Sequence, residues 1–139
     1  PTDKNTKEAI ELAKELGREM GFAKISELTP EAHDEVIAFV SQLAHCIAIT
    51  LMTCNELERL EDYTGNSFRD LTRIAHINEN MWSELFMMNR KALLNEMELF
   101  SKQFDKLKNS LETGDIETMK EIMRKSTTRR DAFDNIQKE

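Results

Sequence analysis

Glycine, cysteine and clustered positive charge are all scarce in this chain, and each shortage removes a class of function. Only four glycines occur in 139 residues, at positions 17, 21, 65 and 114. None are spaced to give a G-x-G-x-x-G turn or a P-loop, so the sequence offers no backbone cradle for a nucleotide phosphate. The two cysteines, Cys46 and Cys54, lie eight residues apart in what reads as one helix. At ~1.5 Å of rise per residue they are ~12 Å apart, beyond the reach of a disulfide. With apolar neighbours they read as small buried hydrophobes in a reducing, cytoplasmic compartment. The net charge of −7 disfavours nucleic-acid backbones, which need clustered Lys and Arg. The one basic cluster, Arg124, Lys125, Arg129 and Arg130, is flanked by acids and reads as a solvated helix face. His33, His45 and His76 lack ligand spacing, and no H-E-x-x-H, C-x-x-C or G-x-S-x-G motif occurs, so neither a metal site nor a hydrolase elbow is expected.

What is present is helical periodicity. Asn5 and Glu8 have the spacing of an N-cap and its capping-box partner, with Ala9, Leu12, Ala13, Leu16 and Met20 following and Gly21 as the stop. Residues 22–28 offer at most a single short strand near the N-terminus, whose sheet would lie upstream of Pro1. Thr29-Pro30-Glu31 opens a helix expected to run to about Leu60. Its middle, with Val36, Ile37, Phe39, Val40, Leu43, Ile47, Ile49, Leu51 and Met52, is apolar on nearly every side. A helix of that kind is buried all round, and a second subunit would supply the missing cover. The stretch 36–54 is long enough for a membrane span, but Ser41, Gln42, His45 and Thr50 interrupt it, and it is read as a core helix with no membrane partner. Tyr63-Thr64-Gly65-Asn66 is a turn. Ser67 and Asp70 predict a capping box for a short helix through about Ala75. Asn78 caps a longer helix carrying Trp82, Leu85, Phe86, Leu93, Met97, Phe100, Phe104, Leu107 and Leu111, which Gly114 closes. Asp115 caps the last, with Ile116, Met119, Ile122, Met123, Phe133 and Ile136. The class is all-α: a helical bundle around a long central helix, in an intertwined homodimer.

Two constellations carry chemistry. Ser41 and His45, four apart, share one face of the central helix. They are either a core histidine bonded to a neighbour or a polar pair lining a pocket. Arg69 and Arg73 share a face of the short helix, and Asp70 has the i, i+3 spacing to pair with Arg73. That is either a surface salt bridge or a guanidinium aimed at a carboxylate ligand. Trp82, the single tryptophan, serves core packing or walls a pocket beside the arginine.

The order of these segments resembles the prephenate dehydrogenases over essentially the whole chain. The resemblance rests on Pro1-Thr2-Asp3-Lys4-Asn5, Leu28-Thr29-Pro30-Glu31-Ala32-His33-Asp34, Ser41-Gln42-Leu43-Ala44-His45, Ser67-Phe68-Arg69-Asp70-Leu71-Thr72-Arg73-Ile74-Ala75, and Trp82 with Asn89-Arg90. It implies an enzyme with a nucleotide-binding N-terminal domain and a helical, dimerising C-terminal domain. Such enzymes oxidatively decarboxylate prephenate to 4-hydroxyphenylpyruvate with NAD or NADP, in tyrosine biosynthesis. By that resemblance, 1–28 is the tail of the nucleotide-binding domain and 29–139 the dimerisation and substrate-binding domain. Arg73 falls on the family's substrate arginine and Ser41 and His45 on its pocket serine and histidine. Trp82 falls on a pocket tryptophan, and Asp70 on an acid that reaches in from the partner subunit. The family's catalytic histidine belongs to the other domain and has no counterpart here. Two departures stand out. The family's Ser-His-x-Pro-His has Gln42 and Ala44 at its middle positions, and the absent proline implies a straighter helix. Paired glycines before Phe-Arg-Asp are replaced by Asn66 and Ser67.

The chain begins at Pro1 without a methionine, which is read as an excised fragment or a processed chain; without a dinucleotide-binding loop it is expected to bind no cofactor and to be inactive alone. The expected partners are a second copy and prephenate, with tyrosine as an inhibitor. A purely structural dimerisation module is the alternative reading. A chorismate-mutase-like helical enzyme is a third, disfavoured because only Arg69 and Arg73 converge.

Overall fold

The computed structural model describes residues 1–136; the last three residues of the expected 29–139 domain lie outside them, as does the side chain of Ile136. The described elements are all helical. They fall into two compact units, one of residues 1–96 and one from Met97 on.

In the first unit, α1 (Lys7–Glu19) is capped by Thr6, whose hydroxyl accepts the Ala9 N–H. The cap is therefore one residue later than Asn5, whose side chain instead takes the Thr2 N–H at 2.7 Å. Asn and Thr are both competent caps, and spacing alone does not choose between neighbours. Gly21 ends the helix at φ 86, with Gly21 N–H on Arg18 and Phe22 N–H on Gly17 carbonyls. This is a Schellman closure, which needs a residue free to take left-handed backbone. Residues 22–28 form no strand. They return over α1, where Glu27 pairs with Lys14 at 2.8 Å and a Cβ on Gly17 would come within 2.8 Å of Ile25 Cδ1. Side-chain contacts with α1 hold this segment where a sheet partner would otherwise be required.

The central helix begins as expected. Thr29 Oγ1 accepts the Ala32 N–H and Pro30 sits at the first turn. It comprises α2 (Pro30–Ile37), a π-helical segment (Ala38–Leu43) and α3 (Ala44–Thr53). Without a proline the helix is uninterrupted, but it is not regular, because six residues are wound with the wider i→i+5 turn. It stops at Thr53 rather than near Leu60. Asn55 accepts the Leu57 N–H on its own side chain at 2.9 Å, and that local bond competes with helix continuation. The helix is not buried all round within this chain: Ala38, Leu43 and Ala48 are buried, while Phe39 and Val40 stand 52% and 61% exposed. Cys46 is half-buried and Cys54, at the helix end, is exposed, which corrects the reading of both as buried. By length and composition the helix is apolar enough to cross a bilayer, with mean hydropathy 1.8.

After a 3-10 turn (Leu60–Asp62) comes α4 (Asn66–Thr72), capped by the Gly65 backbone without a side-chain bond. The expected Ser67–Asp70 capping box does not form, because the helix starts one residue before Ser67. A second 3-10 turn (Arg73–Ala75) follows. Both α4 and this turn pack against α3. Asn78 caps α5 (Glu79–Met88) by accepting the Met81 N–H at 3.0 Å. The long helix expected to follow is two, for Asn89 (φ −109, ψ 26) breaks it before α6 (Arg90–Thr113).

In the second unit, α6 ends at Gly114 (φ 69) by the same closure as α1, with Gly114 N–H on Leu111 and Asp115 N–H on Ser110. Asp115 caps α7 (Ile116–Ile136): Oδ1 accepts the Thr118 N–H at 3.0 Å and Oδ2 the Thr118 hydroxyl at 2.6 Å.

Candidate functional site

The first unit brings together three of the five residues singled out from sequence. His45, in the first turn of α3, lies face to face with Trp82 of α5, ring centroids 3.7 Å apart and tilted by 31°. Phe86, one turn further along α5, lies against the same indole with ring centroids 5.5 Å apart and planes tilted by 59°. Ser41 contributes through its backbone. His45 Nδ1 donates to the Ser41 carbonyl at 2.9 Å. A carbonyl can only accept, so this bond places a proton on Nδ1, and in the neutral imidazole Nε2 then carries the lone pair. Ser41, His45 and Trp82 are all half-buried. The arrangement is an aromatic stack whose imidazole Nε2 meets no hydrogen-bond partner among the described residues.

Arg73 opens the 3-10 turn that packs against α3, the helix bearing His45. Its side chain is exposed and forms no ion pair among the described residues. The salt bridge that Asp70 and Arg73 could make at i, i+3 is not formed, and Asp70 is exposed. Arg69 turns away, its Nε donating to Thr64 Oγ1 at 3.0 Å. Of the two arginines, Arg73 is thus the uncommitted one. A hollow of about 250 Å³ lies elsewhere, lined by Asn5, Ala9, Ile10, Ala13, Lys14 and Glu27 among others, and includes none of the five residues.

Sequence reasoning missed the bonding of the polar group beneath this stack. Gln42 is only 5% exposed. Its Nε2 donates to the Leu85 carbonyl at 3.1 Å and its Oε1 accepts from Asn89 Nδ2 at 2.9 Å. Asn89 Nδ2 also donates to the Asp34 carbonyl at 2.8 Å. An amide alone on an otherwise apolar helix was the available signal, since burying it demands partners.

A helical unit whose long central helix leaves apolar side chains exposed beside a histidine–tryptophan stack defines a class, the all-α domain with an apolar helix in need of cover. The comparisons make it specific. Residues 29–125 match the family model described as prephenate dehydrogenase, dimerization domain, and the chain belongs to that family. It is 27% identical over 143 residues to the prephenate dehydrogenase of Bacillus subtilis, covering 99% of this chain and 38% of that protein. It is 29% identical over 125 residues to the cyclohexadienyl dehydrogenase of Zymomonas mobilis, covering 86% of this chain and 42% of that one. Among solved structures it superposes with TM-score 0.84 and 28% identity on prephenate dehydrogenase from Aquifex aeolicus in complex with hydroxyphenyl propionate and NAD+, over 96% of this chain and 48% of that one. The chain therefore spans less than half the length of these relatives.

Proposed function

We propose that this chain is the dimerisation and substrate-binding part of a cytoplasmic, homodimeric prephenate dehydrogenase. The enzyme would convert prephenate to 4-hydroxyphenylpyruvate with NAD or NADP, and tyrosine would bind as an inhibitor. The observation that carries the reading is the placement of Arg73 on a turn packed against α3, the helix whose His45 stacks on Trp82. In this reading the Arg73 guanidinium holds a substrate carboxylate, for which its planar fork is suited. His45 Nε2 accepts a hydrogen bond from a ligand hydroxyl, and Trp82 bounds the ring. Asp70 reaches the equivalent site of the second copy, in keeping with its exposure and with its having no ion pair among the described residues.

Residues 1–28 are proposed to close the nucleotide-binding domain. The chain's own residues do not fit the cofactor. Gly21 and Gly114 are spent on helix ends, Gly17 lies inside α1 and Gly65 caps α4, so no strand–turn–helix cradle is built from them. No step is assigned to these residues beyond binding and orientation, and the chain by itself is expected to be inactive.

Replacing Arg73 by Ala in the complete enzyme tests the reading. A charge-assisted hydrogen bond contributes ~1.5–3 kcal/mol. KM for prephenate should therefore rise about tenfold to a hundredfold, with kcat far less affected. Unchanged kinetics with lowered stability would instead favour a purely structural module, a reading that the exposed Phe39 and Val40 also suit.

A further inference from the structure

We propose that Gln42 and Asn89 are positioning residues for this site: together they fix the register between the central helix and α5 that lays Trp82 against His45. The proposal rests on the reading of His45 and Trp82 as ligand-facing, and adds the device that aligns them.

The geometry is a ladder. Gln42 bonds the carbonyl of Leu85. Three residues on along the central helix is His45, and three residues back along α5 is Trp82, which it stacks upon. The two helices thus run antiparallel, with the amide bond and the ring stack as successive rungs, each spaced by i, i+3 on its own helix. Leu85 lies in the last turn of α5, and its carbonyl still receives the ordinary i+4 donor of the helix. Its carbonyl takes two, the Gln42 amide and the Asn89 N–H at 3.3 Å. Asn89 then closes the lower end by donating to both Gln42 and Asp34.

The π segment is what lets one asparagine reach both. Asp34 and Gln42 are eight residues apart, and in a regular α-helix their directions would differ by roughly 80°. Residues 38–43 turn more slowly, which brings the two positions towards one face. All side-chain polar atoms of Gln42 are engaged, and an amide that is buried and bonded on both sides cannot slide by one residue without leaving donors or acceptors unsatisfied. Apolar contacts alone would tolerate such a slip. The stack of His45 on Trp82, and with it the direction of the free Nε2, is therefore set from below by hydrogen bonds rather than by the rings themselves.

Trp82 is the single tryptophan, so its near-ultraviolet dichroism reports this one stack. The test compares the chain with Asn89→Ala, Gln42→Leu and, as a control for general loosening, Leu93→Ala. In the two register variants the tryptophan band should fall by about half or more while far-ultraviolet helicity is kept, because near-ultraviolet signals need fixed packing. Leu93→Ala should lower stability and leave the band. In the complete enzyme, Asn89→Ala should weaken hydroxyphenyl propionate about tenfold, the factor that ~1.4 kcal/mol of lost preorganisation would give. An unchanged band in folded Asn89→Ala, or an equal loss in Leu93→Ala, would overturn the proposal. Should Gln42→Leu not fold, Asn89→Ala decides alone, since Asn89 is only half-buried. If wild-type enzyme fails to bind hydroxyphenyl propionate while the band still collapses in the register variants, the ligand reading is what fails and the register device stands.

Discussion

Burial divides the two thiols of the central helix. Burial pushes the Cys46 thiol up from its ordinary range, whereas Cys54 is exposed with its Sγ donating to the Leu51 carbonyl at 3.5 Å. Since the thiolate is the reacting form, an alkylating reagent at neutral pH should label Cys54 first, with Cys46 slower by about tenfold or more. The gap should narrow as pH rises and Cys46 ionises. Peptide mapping by mass spectrometry checks this, and equal rates would contradict it. The same scale shows how much of the site the sequence carried. Ser41 and His45 were legible as a pair because four residues make one helical turn, but their bond runs from the ring to a backbone carbonyl, which side-chain spacing does not reveal. Trp82 was legible as a residue and not as a neighbour of His45, because the stack joins positions 37 residues apart in sequence. Gln42 was legible as a polar interruption of the apolar stretch and as a substitution for a histidine, not as a bonded group. Its partners are a backbone carbonyl and Asn89, and nothing in local pattern points to either.

Helix ends obeyed local chemistry where one residue type dominates and departed from it where several compete. Thr29 before Pro30, Asn78, Gly21, Gly114 and Asp115 all act as read. Asn5 lost the cap to Thr6, and Ser67 lost it to the Gly65 backbone. The break at Asn89 was hidden because apolar residues continue on both sides of it, so periodicity ran on through a point where Asn89 spends its amide on Gln42 and Asp34. The Asp115 cap carries a pH dependence. Hydrogen bonds from the Thr118 hydroxyl and N–H hold its carboxyl below the ordinary value. A carboxyl lowered in the folded state stabilises above its unfolded pKa of about 3.9 and loses that contribution as pH falls through the folded value. Circular dichroism in acid should therefore show the wild type losing more helicity than Asp115→Asn, which cannot ionise at this cap, the remaining acid dependence coming from other carboxyls such as Glu8 and Glu27. Parallel acid titrations of the two proteins would contradict the assignment.

At the scale of the molecule, the chain leaves apolar side chains of its central helix uncovered, Phe39 and Val40 foremost. In a dimerization-domain family the natural cover is a second copy. Stability should then depend on concentration, rising by ~1.4 kcal/mol for each tenfold gain in effective partner concentration over Kd. Thermal melts across a dilution series, alongside sedimentation, check it. A Tm indifferent to dilution with a monomer throughout would count against the dimer, and partition into vesicles would redirect those side chains to lipid. This level was the least legible in sequence, because a run of apolar residues reads the same whether its cover is intramolecular, a second subunit or a bilayer. The π segment of the central helix has a last consequence. Excising any one residue between Ala38 and Leu43 would let the backbone re-form ordinary α-helix without a gap, and because the wide turn carries about one residue more than a regular one, everything beyond it would keep nearly the same azimuth. His45 would stay close to the indole, whereas losing one residue from the regular turns of α2 or α3 would set the two ends of the helix roughly 100° apart. A single in-frame codon loss that spares Gln42 would be nearly silent within the wide turn and ruinous on either side of it.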